Sequence, residues 1–341
     1  MTPVVILGAG SWGTALAVLL VEAGHEVSLW DYDAAHVAQI DRDRENRKFL
    51  PGIGLPKGIK VHAELETALA GADAVVYVVP SHALRSVGTR VTRAGHRGWT
   101  VCASKGLELG TLERPTQILS EVLGDPDPVA LVGPSHAEEV SRGVPTSVVA
   151  AARDEARARR AQQLFSTPRF RVYTNTDVVG CECGAALKNV MAIAAGICDG
   201  LGYGDNTKGA LLTRGLAEIS RLGVALGGKR ETFFGLTGMG DLITTAVSRH
   251  SRNRGLGERL GRGESLEHIK GSMVMVAEGV NTAKAALESA RRLGVELPIT
   301  EQMCAILYEG RDPRQALEAL MTRELKSEEW KGGAAIANPE G

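Results

Sequence analysis

Aromatic residues make up only 4% of the chain, with 4 Trp, 5 Tyr and 5 Phe. So few rings supply no platform on which the bases of a nucleic acid could stack. An excess of charge of one sign is missing too, the formal net charge being -1. Such a balance attracts neither nucleic acid nor an acidic membrane surface, so any bound anion has to be gripped by a local set of donors. Cysteine is scarce: Cys102, Cys181, Cys183, Cys198 and Cys304 are five, an odd number, and no C-x-x-C pair occurs. Cys181 and Cys183 fall on different faces of a helix. The expectation is neither a disulfide framework nor a metal site, but buried, inert thiols in a reducing compartment. The opening residues, MTPVVILG, place no basic segment before a short apolar run. No stretch reads as the roughly 18 apolar residues of a spanning helix, so the chain is read as cytoplasmic, without a membrane partner.

What is present suits about two domains, since 341 residues are too many for one ordinary core. The 44% hydrophobic and 23% charged residues belong to an ordinary globular protein. Up to about residue 175, short apolar runs alternate with helical patterns. The expected strands lie at 4–7, 25–30, 73–80, 99–104, 128–132, 145–151 and 170–173. A run as continuously apolar as DAVVYVVP, 73–80, suits a strand buried on both faces, and the alternation predicts a parallel, doubly wound sheet. Beyond it the pattern is helical, over 177–198, 209–226, 278–293 and 298–308. The expected layout is α/β over 1–175, all-α over 176–330, and a frayed tail over 331–341. The charged run RDEARARR, 153–160, reads as the solvated face of a surface helix.

Gly8-Ala9-Gly10-Ser11-Trp12-Gly13 is G-x-G-x-x-G, a weak signal by itself in a chain with 41 glycines. Its setting strengthens it. The string follows the first strand, opens a helix expected over 11–23, and precedes Asp31, at the end of the next strand, by about 20 residues. Gly8 suits a tight turn, Gly10 the close approach of a pyrophosphate, and Gly13 the packing of helix on strand, as in a Rossmann-like dinucleotide domain. Asp31 can accept from adenosine ribose hydroxyls and would repel a 2′-phosphate, which favours NAD over NADP. Arg42, Arg44, Arg47 and Lys48 follow closely enough to fold back and keep NADP open.

The stretch 185–197, AALKNVMAIAAGI, is apolar on nearly every face of a helix except at Lys188 and Asn189. A helix apolar all round is buried, and a buried ammonium has to be paired or shift its pKa. Two readings stand: Lys188 snorkels at a domain edge, or it is a proton donor and acceptor near neutral pH. Polar, glycine-rich stretches fall where loops belong: Ser104-Lys105-Gly106, Gly133-Pro134-Ser135, Thr237 to Asp241, and Ser251-Arg252-Asn253-Arg254. The first two follow strand ends, where ligands of open α/β sheets collect, and an arginine's planar fork suits a phosphate.

These blocks resemble one family, the NAD(P)-dependent glycerol-3-phosphate dehydrogenases, and stand in its order. They are GAGSWGTALA (8–17), SKGLE (104–108), GPSHAEEV (133–140), GAALKNVMAIAAGICDGLGYGDNTK (184–208), LTRGLAEI (212–219), GLTGMGDLITT (235–245), SRNR (251–254) and VAEGVNTAK (276–284). The resemblance implies a homodimer that reversibly reduces dihydroxyacetone phosphate to sn-glycerol 3-phosphate with NAD(P)H, for phospholipid synthesis. It implies Lys188 as general acid and base, with Asp241 and Thr245 orienting it. Arg252, helped by Ser251 and Asn253, would grip the substrate phosphate. Lys105, Gly133, Ser135 and Asn189 would be further substrate contacts. Ser11, Trp12, Ala137, Val276 and Glu278 match positions that touch the nucleotide, and Lys105 and Arg252 are assigned to it as well. Many relatives carry arginines where this chain has Tyr32 and Asp33, which again weighs against NADP. A hydroxyacid or 6-phosphogluconate dehydrogenase is the rival enzyme, but Arg252 as sole strong anion clamp suits a phosphate without a carboxylate. A catalytically dead nucleotide sensor would have lost Lys188, Asp241 or Arg252, and all three stand.

Overall fold

Strands without a polar face must be covered on both sides, and the first half of the chain supplies the helices to do so. A computed structural model describes residues 1–325, 327 and 328; the tail expected at 331–341 lies outside the described residues. The strands are β1 (Pro3–Leu7), β2 (Glu26–Trp30), β3 (Ile59–His62), β4 (Ala74–Tyr77), β5 (Trp99–Cys102), β6 (Val129–Val132), β7 (Thr146–Ala151) and β8 (Phe170–Asn175). They form one sheet in the order β3-β2-β1-β4-β5-β6-β7-β8. Between them run α1 (Ser11–Glu22), α2 (Ala34–Asp43), α3 (Leu65–Leu69), α4 (Ser81–Arg93), α5 (Pro115–Leu123), α6 (Ala137–Val140) and α7 (Glu155–Phe165). Val4 and Ile6 of β1 pack with α1 and α7 on one face, Val5 and Leu7 with α3, α4 and α5 on the other. The strand order reverses between β1 and β4, and such a switch point is where open α/β sheets bind ligands.

Two features depart from the sequence reading. Strand β3 was not anticipated: IKVH is short, half polar and at the sheet edge. Strand β7 pairs antiparallel with β6, although the expected sheet was parallel throughout. Only the single turn of α6 separates the two, and a parallel return needs a full crossover.

After Asn175 no strand occurs among the described residues. The helices are α8 (Val178–Gly200), α9 (Asp205–Ala225), α10 (Asp241–Val247), α11 (Arg252–Gly261), α12 (Leu266–Ser272), α13 (Gly279–Leu293), α14 (Pro298–Glu309) and α15 (Pro313–Met321). A 3-10 turn, Arg230–Phe234, and a π-helical turn, Leu236–Gly240, precede α10. Helix α8 is the hub. By length and composition it could cross a membrane, which corrects the sequence reading, but 94% of its most apolar window is buried within the fold. Glu182 of α8 ties the two halves together. Its carboxylate accepts from Thr116 N at 2.8 Å, Thr116 Oγ1 at 2.6 Å and Arg114 at 2.5 Å, so it satisfies the first turn of α5. All five cysteines are free thiols and buried. The charged run lies on α7, where Arg159 pairs with Glu155 at the surface.

Candidate active site

The loop after β1 is shaped by its glycines. Gly8 has φ +115°, and a Cβ there would lie 2.7 Å from the Val78 carbonyl oxygen. A Cβ on Gly13 would lie 1.9 Å from the Gly8 carbonyl oxygen, so helix and loop touch backbone to backbone. At Gly10 the opposite holds. Nothing lies within 4 Å of its Cβ position, and as N-cap of α1 it gives the first helical amides no side-chain partner. An open, uncapped helix N-terminus of this kind fits a dinucleotide pyrophosphate. Asp31 is buried at the end of β2 and accepts from Ala9 N at 3.0 Å and Asp33 N at 3.1 Å. Ser11 opens α1, with Oγ 3.6 Å from Met275 Sδ. Trp12 leans on Phe170 at 6.4 Å between ring centroids, and its Nε1 is buried without a partner. The basic residues after β2 bond close to home. Arg42 reaches Asp43, Arg44 the Pro56 and Ile59 carbonyls, Arg47 Asp43 and Glu45, and Lys48 lies 4.0 Å from Asp33.

Lys188 does not snorkel. It is buried on α8, with Nζ 2.8 Å from Asp241 Oδ1 and 2.5 Å from Thr245 Oγ1. Asp241 and Thr245 lie one turn apart on α10, joined at 3.2 Å. The second carboxylate oxygen, Asp241 Oδ2, accepts from Lys105 Nζ at 2.8 Å, and Lys105 also donates to the Gly133 carbonyl at 2.9 Å. One buried acid thus holds two ammonium groups, one from each half of the chain. Burial pulls Lys188 down to about 8; Asp241 opposes the fall and Lys105 adds to it. For Asp241 burial acts upward, but the two lysines outweigh it and hold the carboxyl below its ordinary range. The π-helical turn aims this acid: Gly240 N bonds the Gly235 carbonyl at 3.1 Å, and a Cβ on Gly238 would lie 2.0 Å from the Phe233 carbonyl oxygen. Gly133, at φ +139°, also accepts from Ser135 Oγ at 3.0 Å.

Helix α11 starts beside this cluster. Ser251 caps it, its Oγ accepting from Arg254 N at 3.1 Å. Asn253 Nδ2 donates to Asn189 Oδ1 at 3.0 Å, while Asn253 Oδ1 accepts from Gly279 N at 2.9 Å, which ties α8, α11 and α13 together. Asn189 is therefore already engaged through its oxygen. Arg252 is exposed and donates to the Val276 carbonyl at 3.1 Å. Glu278, at the head of α13, crosses to the sheet half and accepts from Ser81 N at 3.3 Å and Ser81 Oγ at 2.8 Å. Ala137 is buried at the start of α6, beside Ser135.

Two residues that shape the site escaped the sequence reading. Ser81 at the head of α4 anchors Glu278. Asn46, fully buried, donates to the Ala9 carbonyl and to Thr14 Oγ1, both at 2.8 Å, and so braces the glycine loop. An asparagine inside the charged run DRDRENRK carries no local sign of that duty.

Comparison with known proteins agrees with this geometry. Residues 3–158 match the NAD-dependent glycerol-3-phosphate dehydrogenase N-terminus, and residues 177–318 the C-terminus of the same family. A glycerol-3-phosphate dehydrogenase [NAD(P)+] of Geobacter sulfurreducens is 52% identical over 331 residues, 95% of this chain and 98% of the relative. One from Geobacillus kaustophilus is 50% identical over 332 residues, 96% of each. The crystal structure of glycerol-3-phosphate dehydrogenase from Coxiella burnetii superposes with a TM-score of 0.91 at 37% identity, covering 94% of this chain and 99% of that one. Two family matches that together span nearly the whole chain, with relatives at half identity, leave one conclusion: the chain belongs to the NAD-dependent glycerol-3-phosphate dehydrogenase family.

Proposed function

We propose that the protein reversibly reduces dihydroxyacetone phosphate to sn-glycerol 3-phosphate, with Lys188 moving the proton. The observation that carries this is a buried ammonium held by Asp241 and Thr245, with the next residue, Asn189, bonded to Asn253 beside an exposed arginine. When bound, the nicotinamide supplies or takes the hydride at the carbonyl carbon. Lys188 Nζ gives a proton to the carbonyl oxygen in reduction and takes it back in oxidation, and a pKa near 8 suits both directions. Asp241 keeps the donor oriented, and Lys105, Gly133, Ser135 and Asn189 border the reacting end. Arg252, with Ser251 and Asn253, holds the phosphate; binding energy gained there orients the carbonyl.

Gly8, Gly10, Ser11, Trp12, Gly13 and Asp31 would hold the adenosine and pyrophosphate, and Lys105, Ala137, Arg252, Val276 and Glu278 the nicotinamide half. The paired basic residues after β2 leave Asp31 unopposed, which supports NAD as the preferred cofactor. The functional units divide at 175/176, after the last strand. Exposed Phe234, Met239, Ile243 and Val247, the last three spaced four residues apart from the π-helical turn into α10, support a homodimer. The near-neutral charge supports an enzyme without nucleic-acid or acidic membrane-surface partners, and the family supports a role in feeding glycerophospholipid synthesis in the cytoplasm. Lys188→Ala is expected to lower turnover at least ~100-fold, the low end for a lost acid–base group, and to leave NADH affinity nearly intact. Steady-state rates and an NADH fluorescence titration check this; turnover at the wild-type level ends the assignment.

A further inference from the structure

Helices α8 and α11 touch backbone to backbone along a seam of four glycines, two on each helix and four residues apart. A Cβ on Gly196 would lie 2.0 Å from the Arg254 carbonyl oxygen, and one on Gly200 2.2 Å from that of Glu258. From the other side, a Cβ on Gly257 would lie 2.0 Å from the Ile193 carbonyl oxygen, and one on Gly261 2.5 Å from that of Ile197. Ordinary helix pairs keep their axes about 8–10 Å apart because side chains stand between them. Here even an alanine methyl has no room. Glycine is a poor helix former, so four in two facing helices is a pattern that helix stability alone opposes.

The seam leads to the site. Asn189 with Asn253, Ile193 with Gly257 and Ile197 with Gly261 pair on successive turns, so the helices run in the same direction. The first residue of α11, Arg252, is thereby level with the Lys188–Asn189 turn of α8. Gly279 extends the same tightness upward: a Cβ there would lie 2.6 Å from the Asn189 carbonyl oxygen and 2.8 Å from Asn253 Oδ1.

We propose that Gly196, Gly200, Gly257 and Gly261 are positioning residues that set the span between proton donor and phosphate anchor, and with it the substrate length the site accepts. The proposal rests on the assignment of Lys188 and Arg252 above. A methyl group anywhere on the seam must push α11 outward. A substrate held at both ends feels that shift, and misplacement by about 1 Å can cost about 10²-fold in rate. A substrate without the phosphate is held at one end only and is nearly indifferent.

The test compares Gly257→Ala and Gly261→Ala with wild type, measuring kcat/KM with NADH for dihydroxyacetone phosphate and for dihydroxyacetone, together with Tm. The expected result is a fall of about 10²-fold for the phosphorylated ketone and little change for the other, so that their ratio collapses. Equal losses on both substrates mean that the seam is structural only, and overturn the proposal. Should Gly257→Ala not fold, Gly261→Ala at the far end of the seam is the milder wedge. Arg252→Ala separates the two layers of the argument. A ratio kept in that variant overturns the anchor assignment and the seam proposal with it. A ratio lost there but kept in the glycine variants overturns the seam proposal alone.

Discussion

Lys188 has a pKa near 8 because burial penalises its charge while Asp241, 2.8 Å away, restores part of it. In the proposed role of Lys188, reduction needs the protonated amine and oxidation the neutral one. The kcat/KM for dihydroxyacetone phosphate should therefore fall as pH rises through about 8, and that for glycerol 3-phosphate should rise through the same value. Rate profiles in both directions check this, and limbs that do not mirror each other would remove Lys188 as the shared group. This lysine was legible in the sequence, since a lone ammonium in an apolar helix has few explanations. Its surroundings were less so. The bond between Lys105 and Asp241 spans 136 residues of sequence and depends on the loop after β5 meeting the head of α10 in the other half. Asp31 was read as a ribose acceptor, yet it also holds the Ala9 and Asp33 amides, a duty visible only once the loop is folded back on it.

Helices carried the strongest sequence signals, and α8, α9, α13 and α14 lie where the apolar periodicity put them, within a few residues. What periodicity could not provide is partners. Gly196 and Gly200 are ordinary letters until α11 is found against them. The same is true of Glu182, an acid in an apolar helix whose donors sit on α5. Its carboxylate joins the two halves, so Glu182→Ala leaves Arg114 and the Thr116 amide without their acceptor. A loss of about 3 kcal/mol in unfolding free energy is expected, since breaking a buried pair strands the remaining charge. Urea denaturation of the apoprotein reads it directly; a loss below about 1 kcal/mol, the range of a surface pair, would make the link incidental. Strand β3 and the reversed β7 were illegible for a plain reason: a short edge strand has little pattern, and strand direction is set by the connection rather than by the strand's own residues.

At the scale of the whole molecule, the site belongs to neither half. The sheet half provides the glycine loop, Lys105, Gly133 and Ser81; the helical half provides Lys188, Asp241, Arg252 and Glu278. The contacts Lys105–Asp241 and Ser81–Glu278 bridge the two. That joint was legible only through the family resemblance, because no local pattern states which loop faces which helix. The proposed reaction uses a phosphate clamp and an acidic residue that selects the cofactor. It is tested most directly by following NADH and NADPH oxidation by the purified protein, with dihydroxyacetone phosphate beside dihydroxyacetone. The expected result is fast turnover with the phosphorylated ketone alone, and faster with NADH than with NADPH. Equal rates on the two ketones, or no turnover by protein that still binds NADH, would contradict it.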